Sequence, residues 1–138
     1  MKIKLKKIKI QKGLHIGINA IVNEHKVFLL LDTGASQSVF DLNSIKKLIP
    51  KNEIKKQSAM STGLGTNTME SNATKIASLE IGNIILKNKK FMLLDLSHIN
   101  ETYNSLKKKH ITGVIGGDFL EKYNAIIDYK KLLLYIKK

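Results

Sequence analysis

One short segment of the sequence combines residue types that can do acid–base chemistry. Asp32 directly follows the apolar run Val27–Leu31 and precedes a Thr-Gly pair. Gly34 allows the backbone to come close to a neighbouring group, and the hydroxyl of Thr33 can hydrogen-bond to the backbone. Together they would hold the Asp32 carboxylate on a tight loop at the end of a strand. Taken alone, these three residues are more typical of an ordinary turn or a helix cap.

The other candidate residues have structural explanations. Asp118 follows two glycines and opens a short helix, which is the position of an N-cap. Gly113–Gly117 lacks the Lys-Ser or Lys-Thr of a phosphate loop, and the chain has no cysteine for thiolate chemistry. The histidines lack the spacing of a zinc site and are scattered at His15, His25, His98 and His110. The sequence therefore predicts no metal ion and no cofactor.

The elements that would position Asp32 are β-strands, because apolar residues recur mostly at every second position. Residues 2–10 alternate in this way, with a slip at Lys6–Lys7 that a bulge would explain. Residues 14–22 form the next strand, and 26–31 are apolar on both faces, which predicts a strand inside the structure. A short helix follows over 41–48, capped by Asp41 or Asn43 and ended by Pro50.

The rest of the chain continues the pattern. Two arms, 53–60 and 69–80, surround a polar tip at Ser61–Thr68. Further strands are predicted at 83–87, 90–95, 124–129 and 131–137, with a helix-prone stretch at 97–109 and a short helix at 118–122. Since no repeat, linker or low-complexity segment interrupts this order, we expect one mainly-β domain over residues 1–138.

The order of these elements makes the Asp32 segment comparable with a known motif. Asp32–Ser36, DTGAS after a hydrophobic run, resembles the active-site motif of the retropepsins, the single-domain aspartic proteases. Gly113–Leu120, GVIGGDFL, is similar to the segment that crosses behind the catalytic loop in that family, and the C-terminal strand–turn–strand is similar to bacterial members. The resemblance covers about residues 14–137. It implies an all-β fold, a closed barrel with a flap hairpin and one or two short helices.

The resemblance also assigns roles by position. Asp32 would be the catalytic residue, and its loop would comprise Thr33, Gly34, Ala35 and Ser36. The loop behind the active site would comprise Val114, Ile115 and Gly116. The flap, which would bind the substrate, would include Thr62, Gly63, Leu64 and Gly65. A solvent-exposed hairpin is the alternative for this last segment.

The chemistry of such a site needs two carboxylates. One, ionised, takes a proton from water while the other, protonated, hydrogen-bonds the carbonyl of the scissile amide. Among the five aspartates of the chain, Asp32 alone is followed by Thr-Gly. The second carboxylate must therefore come from a second copy, related by a twofold axis. We expect a homodimeric aspartic endopeptidase that cleaves an extended protein or peptide substrate.

The net charge of +13 bears on the partners of the protein. It suggests a preference for acidic substrates, and it raises the question of nucleic acid. All the basic residues are lysines, however, and arginine is the residue that reads guanine and clamps phosphates. Nucleic acid is therefore not the expected partner. No apolar run is long enough for a signal peptide or a membrane span, so a cytoplasmic protein without a membrane contact is expected.

Two other functions remain open at this point. The same fold with negligible turnover would be a peptide-binding or dimerisation module, and the polar stretch 96–112 could block or regulate the cleft. A basic, nucleic-acid-binding β domain would instead show steep salt-dependent binding to DNA or RNA.

Overall fold

The computed structural model describes residues 1–58 and 70–138. Within them the chain forms eleven strands and three α-helices, and strands make up 49% of the structure. The strands are β1 (Lys2–Lys4), β2 (Lys6–Ile10), β3 (Gly13–Val22), β4 (His25–Leu31), β5 (Val39–Asp41), β6 (Lys55–Ser58), β7 (Glu70–Ile81), β8 (Ile84–Leu94), β9 (Gly113–Ile115), β10 (Ile126–Asp128) and β11 (Leu133–Tyr135). The helices are α1 (Leu42–Ile45), α2 (Ser97–Ser105) and α3 (Gly117–Lys122), with a 3-10 turn at Lys51–Glu53.

Six strands close into a barrel, in the order β3, β4, β9, β5, β8, β7. The ring is closed where β7 returns to β3, with Val22 opposite Leu79. Strand β3 shows why these residues form strands: Ile16, Ile18 and Val22 alternate with residues on the other face and are buried in the barrel core. The predicted all-β closed barrel with short helices is confirmed.

A second apolar cluster lies on the other face of β3 and β4. Phe28 and Leu30 of β4 pack there with Ile8, and the cluster also contains Tyr103 of α2 and Ile111, which lies just before β9. Strand β4 is therefore buried on both sides, as its continuous apolar sequence predicted. The helix-prone stretch 97–109 contains α2, which covers this second cluster.

The N-terminal strand differs from its prediction. Residues 2–10 do not form one strand with a bulge, because the chain leaves one sheet and enters another at Leu5. Strand β1 pairs with β11, with Ile3 opposite Leu134, whereas β2 pairs with β3. Leu5 is buried, and its N–H donates to the carbonyl of Leu132 at 2.9 Å. The slip in the alternation marks this change of sheet, and β1 pairs within its own chain.

Two further boundaries depend on single residues. Helix α1 begins after Asp41, whose side chain accepts a hydrogen bond from the N–H of Ser44 at 3.1 Å, so Asp41 rather than Asn43 is the cap. The predicted strands 83–87 and 90–95 are one strand, β8. Asn88 has a φ of 51°, which asparagine tolerates, and pairing with β7 continues on both sides of it.

Candidate active site

The Asp32 loop begins where two parallel strands end together. Strand β4 pairs with β9 in parallel, with Leu31 opposite Ile115. The N–H of Asp32 donates to the carbonyl of Ile115 at 3.0 Å, which extends the pairing by one residue. Asp32 thus leaves the sheet from a fixed point, and its side chain is exposed.

The loop holds the Asp32 carboxylate through its own backbone. The N–H of Gly34 donates to Asp32 Oδ1 at 2.9 Å, and the N–H of Ala35 donates to the Asp32 carbonyl at 3.1 Å. A Cβ at position 34 would lie 3.2 Å from Asp32 Oδ1, a tighter contact than most side chains make. Glycine at this position therefore lets the amide approach the carboxylate and fix its orientation.

The loop behind the active site is in direct contact with the Asp32 loop. The N–H of Gly117 donates to the carbonyl of Ala35 at 2.7 Å, and the N–H of Asp118 donates to that of Ser36 at 3.2 Å. A Cβ on Gly116 would lie 2.5 Å from the Ala35 carbonyl oxygen, so only glycine fits there. The structure thus brings together the two segments that the sequence singled out, 32–36 and 114–116.

A buried serine, which the sequence analysis missed, joins these two segments. Ser38 is 5% exposed, and its hydroxyl accepts a hydrogen bond from the N–H of Gly116 at 2.9 Å. Both the N–H and the hydroxyl of Ser38 donate to Asp118 Oδ1, at 2.9 and 2.7 Å. No local sequence signal announces this contact, since the partners lie 80 positions apart.

Asp118 therefore has a different role from the one expected. The N-cap of α3 is Gly116, without a side-chain cap, and Asp118 lies in the first turn of the helix. Burial raises the pKa of Asp118, but the hydrogen bonds from Ser38 and Phe119, with the charge of Lys89, outweigh it and hold the pKa below its usual range. The prediction of an N-cap was wrong, because the carboxylate accepts hydrogen bonds from Ser38, two residues after the Asp32 loop.

Asp32 opens into a cavity of about 410 Å³. Thr33 lines it as well, with Leu30 and Leu31 of the apolar run that precedes Asp32. The sequence analysis did not connect the other lining residues to the site: Leu14, His15, Ile16, Ile127 and Tyr129. His15 comes from β3, and Tyr129 follows β10. A larger cavity of about 690 Å³ lies between β3, β4 and residues 109–112, and Asp32 does not line it.

The predicted flap residues Thr62, Gly63, Leu64 and Gly65 lie outside the described residues. The strands that flank them are described. Strand β6 pairs with β7 in antiparallel fashion, from Lys55 opposite Ala73 to Ser58 opposite Glu70. The two arms expected at 53–60 and 69–80 therefore contain paired strands.

One cluster away from Asp32 contains a serine, a histidine and an aspartate. Ser44 Oγ lies 2.6 Å from His110 Nε2 and donates to Asp41 Oδ2. This is not a nucleophilic triad. In a triad the histidine lies between the serine and the aspartate, whereas here Ser44 lies between His110 and Asp41. Ser44 is also buried. Asp41 also accepts from the N–H of Leu96 at 2.9 Å, so the cluster attaches α1 to the start of α2.

Within residues 1–58 and 70–138, no group of three or more His, Cys, Asp or Glu side chains has the arrangement of a metal site. In the same part of the chain, no helix is long and apolar enough to cross a membrane.

Comparison with known proteins bears on the Asp32 loop and its neighbours. A protein-family model described as aspartyl protease matches residues 18–119, which is well over half of the chain. The chain belongs to this aspartyl protease family. No curated protein matches it by sequence.

Solved structures agree with the family. A retropepsin-like aspartic protease from Rickettsia conorii is 26% identical, with a TM-score of 0.60 over 97% of this chain and 87% of that one. The retroviral protease-like domain of Ddi1 from Leishmania major is 15% identical, with a TM-score of 0.57 over 87% and 86% of the two chains. The EIAV protease in complex with the inhibitor HBY-793 is 19% identical, with a TM-score of 0.52 over 83% and 93%. The fold of this aspartyl protease family member is retropepsin-like.

Proposed function

We propose that residues 1–138 form one aspartic endopeptidase domain, which hydrolyses peptide bonds as a homodimer with one Asp32 from each subunit. The observation that carries the proposal is the Asp32 loop itself. Its carboxylate is exposed, oriented by the N–H of Gly34 and braced from behind by residues 115–118. The chain has no second Asp-Thr-Gly segment, so a carboxylate held in this way would be half of a catalytic pair.

The proposed reaction uses the two carboxylates with one shared proton. Like charges at short range do not both ionise easily, so the pair holds that proton. The ionised Asp32 takes a proton from water, whose oxygen attacks the carbonyl carbon, while the protonated Asp32 hydrogen-bonds the carbonyl oxygen. The Asp32 that took the proton from water then passes it to the amide nitrogen, the C–N bond breaks, and the pair is left with its one shared proton. No other co-reactant is needed.

The proposed dimer surface surrounds the cavity at Asp32. Strand β10 is an edge strand of the three-stranded sheet. Next to the cavity, Ile126 is 64% exposed and Tyr129 is 58% exposed, which is unusual for such large apolar side chains. Since Tyr129 lines the same cavity as Asp32, burying this surface against a second copy would bring the two Asp32 loops towards each other.

The proposed substrate is an extended protein or peptide segment. Its backbone would form β-type hydrogen bonds in the cleft, with the flap residues 62–65 closing over it and side pockets selecting residues near the scissile bond. The net charge of +13 favours acidic segments.

The alternative is a module of the same fold that binds peptides or dimerises with little turnover. The oriented Asp32 argues against it, because binding alone does not need an exposed carboxylate at this position.

The experiment is cleavage of a diverse peptide library between pH 4 and 7, at high protein concentration, with products read by mass spectrometry. Asp32→Asn is the matched control, since its side-chain oxygen can still accept from Gly34. Cleavage by the wild type alone supports the endopeptidase. If sedimentation shows a dimer but no peptide is cleaved, the peptide-binding or dimerisation module is supported. A gel shift with DNA or RNA that weakens steeply with salt would instead support nucleic-acid binding.

A further inference from the structure

We propose that the outer face of β6, β7 and β8 carries a second binding site, which holds an acidic, extended segment of a protein substrate away from Asp32. The site lies at the base of the two arms that flank the predicted flap. As a substrate-binding surface it rests on the proposed function, but the binding itself requires no cleavage and can be measured separately.

Three lysines on this face are neighbours across three adjacent strands. Lys75 of β7 lies directly opposite Lys90 of β8, and Lys55 of β6 lies opposite Ala73, two residues before Lys75. Residues opposite each other in antiparallel strands, and residues two apart along a strand, project to the same face. Ile76, the residue after Lys75, belongs to the barrel core, so this face is the outer one. The three side chains, all exposed, form a lysine cluster.

The lysine cluster lines a cavity of about 580 Å³. Ala73 and Ala77 line it too, and small side chains at these positions leave space beside Lys75. Asp32 does not line this cavity, and Glu53 is the one acidic residue among the described residues that do. A concave surface with three ammonium groups and one carboxylate attracts anions.

The facing pair within the cluster strengthens this attraction. Like charges directly opposite each other in a sheet are destabilising, and Lys75 and Lys90 form such a pair. A carboxylate bound between them would be attracted by both ammonium groups and would relieve their repulsion. The protein therefore gains more from an anion at this position than from one at an isolated lysine.

The spacing of the cluster fits an extended acidic peptide. Lys55 and Lys75 are diagonal neighbours, which places their Cα atoms about 7–8 Å apart. In an extended peptide, side chains on one side repeat every ~6.6 Å, so Asp or Glu at alternate positions has nearly the same spacing.

Nucleic acid fits this cavity less well. Among the described residues that line it there is neither an aromatic side chain nor an arginine. Aromatic side chains stack on the bases of single strands, and arginine clamps phosphates with its planar fork. We therefore assign the surface to an acidic polypeptide rather than to DNA or RNA.

The position of the cluster connects it with the proposed cleft. Pairing of β6 with β7 runs from Lys55 opposite Ala73 to Ser58 opposite Glu70, and the predicted flap residues follow Ser58. Three residues of strand correspond to about 10 Å. A substrate segment held by the cluster would therefore lie beside the arms of the flap, and this would raise the effective concentration of the rest of that substrate near Asp32.

The test measures binding to Asp32→Asn, which removes cleavage from the experiment. Two labelled peptides are compared by fluorescence anisotropy, one with Glu and one with Gln alternating with Ser. We expect tighter binding of the Glu peptide, weakening as salt is added. Replacing Lys55, Lys75 and Lys90 together by Gln should weaken its binding roughly five- to tenfold and leave the Gln peptide unaffected.

A second triple variant is the matched control. Lys12, Lys47 and Lys108 are exposed, and they line none of the three cavities described above. Replacing them by Gln lowers the net charge by the same amount as the cluster variant. This control should bind the Glu peptide nearly as well as Asp32→Asn alone, because the proposal depends on the position of the charges.

Lys75→Glu distinguishes loss of the site from loss of the fold. It places a negative charge opposite Lys90, so the repulsion across the two strands becomes an attraction. We expect the midpoint of urea unfolding to stay the same or rise, while binding of the Glu peptide weakens. Weaker binding without a loss of stability cannot result from misfolding.

Equal weakening in the two triple variants would mean that the net charge alone binds the peptide, and it would overturn the proposal. Equal binding of the Glu and Gln peptides would overturn it as well. An oligothymidylate that binds more tightly than the Glu peptide, and loses this binding in the cluster variant, would assign the surface to nucleic acid instead. Because none of these readouts involves cleavage, failure of this site and failure of the endopeptidase are recognised separately.

Discussion

Ser38 and Asp118 connect the two halves of the active-site region across 80 positions of sequence. One carboxylate oxygen of Asp118 accepts both the N–H and the hydroxyl of Ser38, while the same hydroxyl accepts from the N–H of Gly116. The loop that carries Asp32 is therefore braced by charge-assisted hydrogen bonds to the start of α3, in addition to those between backbone groups.

Because of this contact, the free energy of unfolding should depend on pH at the acidic end. Because the pKa of Asp118 is lower in the folded protein than in the unfolded chain, its ionised form stabilises the fold above about pH 4, and this contribution is lost as the pH falls through the lower folded value. We expect Asp118→Asn to be less stable than the wild type at pH 6 and to differ from it much less at pH 2.5. Urea unfolding at both pH values measures this, and a constant difference would contradict it.

The close approach of β9 to the Asp32 loop predicts a contrast between neighbouring glycines. In Gly116→Ala the new methyl group would meet the Ala35 carbonyl at 2.5 Å, whereas in Gly117→Ala it would lie at an ordinary 3.5 Å. Gly116→Ala should reduce the free energy of unfolding by about 1–3 kcal/mol and impair cleavage. The second, in the first turn of α3, should change it by less than about 1 kcal/mol. Equal effects in denaturant unfolding would show that the approach is looser than described.

If each subunit supplies one Asp32 to the catalytic pair, an inactive subunit should lower the activity of the wild-type subunits with which it dimerises. When wild type is mixed with Asp32→Asn and the subunits exchange at random, active dimers should form as the square of the wild-type fraction. At equal amounts, activity per wild-type subunit should therefore fall by half. A mixture that loses no activity per wild-type subunit, although native mass spectrometry shows mixed dimers, would mean that one Asp32 is enough.

The exposed apolar side chains beside the cavity predict where the dimer forms. Ile126→Asp or Tyr129→Asp should weaken the dimer in analytical ultracentrifugation and reduce activity on dilution, with little effect on folding. Ile85→Asp is a matched control, since Ile85 is 49% exposed but lies opposite Glu80 at the β7–β8 turn. If the three variants dimerise as the wild type does, the subunits meet elsewhere.

The features that were predictable from the sequence are those that depend on residues adjacent in the chain. The Asp32 loop was recognisable because the strand, the aspartate and the glycine are adjacent, and the burial of β4 followed from its apolar run. Contacts between distant residues were not predictable in this way. Asp118 has a local pattern that suits a helix cap, and only the folded barrel brings Ser38 to it.

The same limit applies to His15 and Leu5. The sequence analysis gave His15 no partner, because the residue it contacts, Tyr103, is 88 positions away. The slip at Lys6–Lys7 was visible, but its meaning depends on β11, which lies at the other end of the chain. Alternation shows which residues face a core, and it does not show which sheet they join.

The parallel pairing of β4 with β9 also has a consequence for synthesis. A growing chain carries Asp32 early, but the residues that fix its loop, from Ile115 to Asp118, are added only near the end. Contacts of such long range form late, because the intervening loop must first be closed. We therefore expect a chain truncated before α3 to carry Asp32 in a loop that is not held in place, since residues 115–118 supply the contacts that fix it.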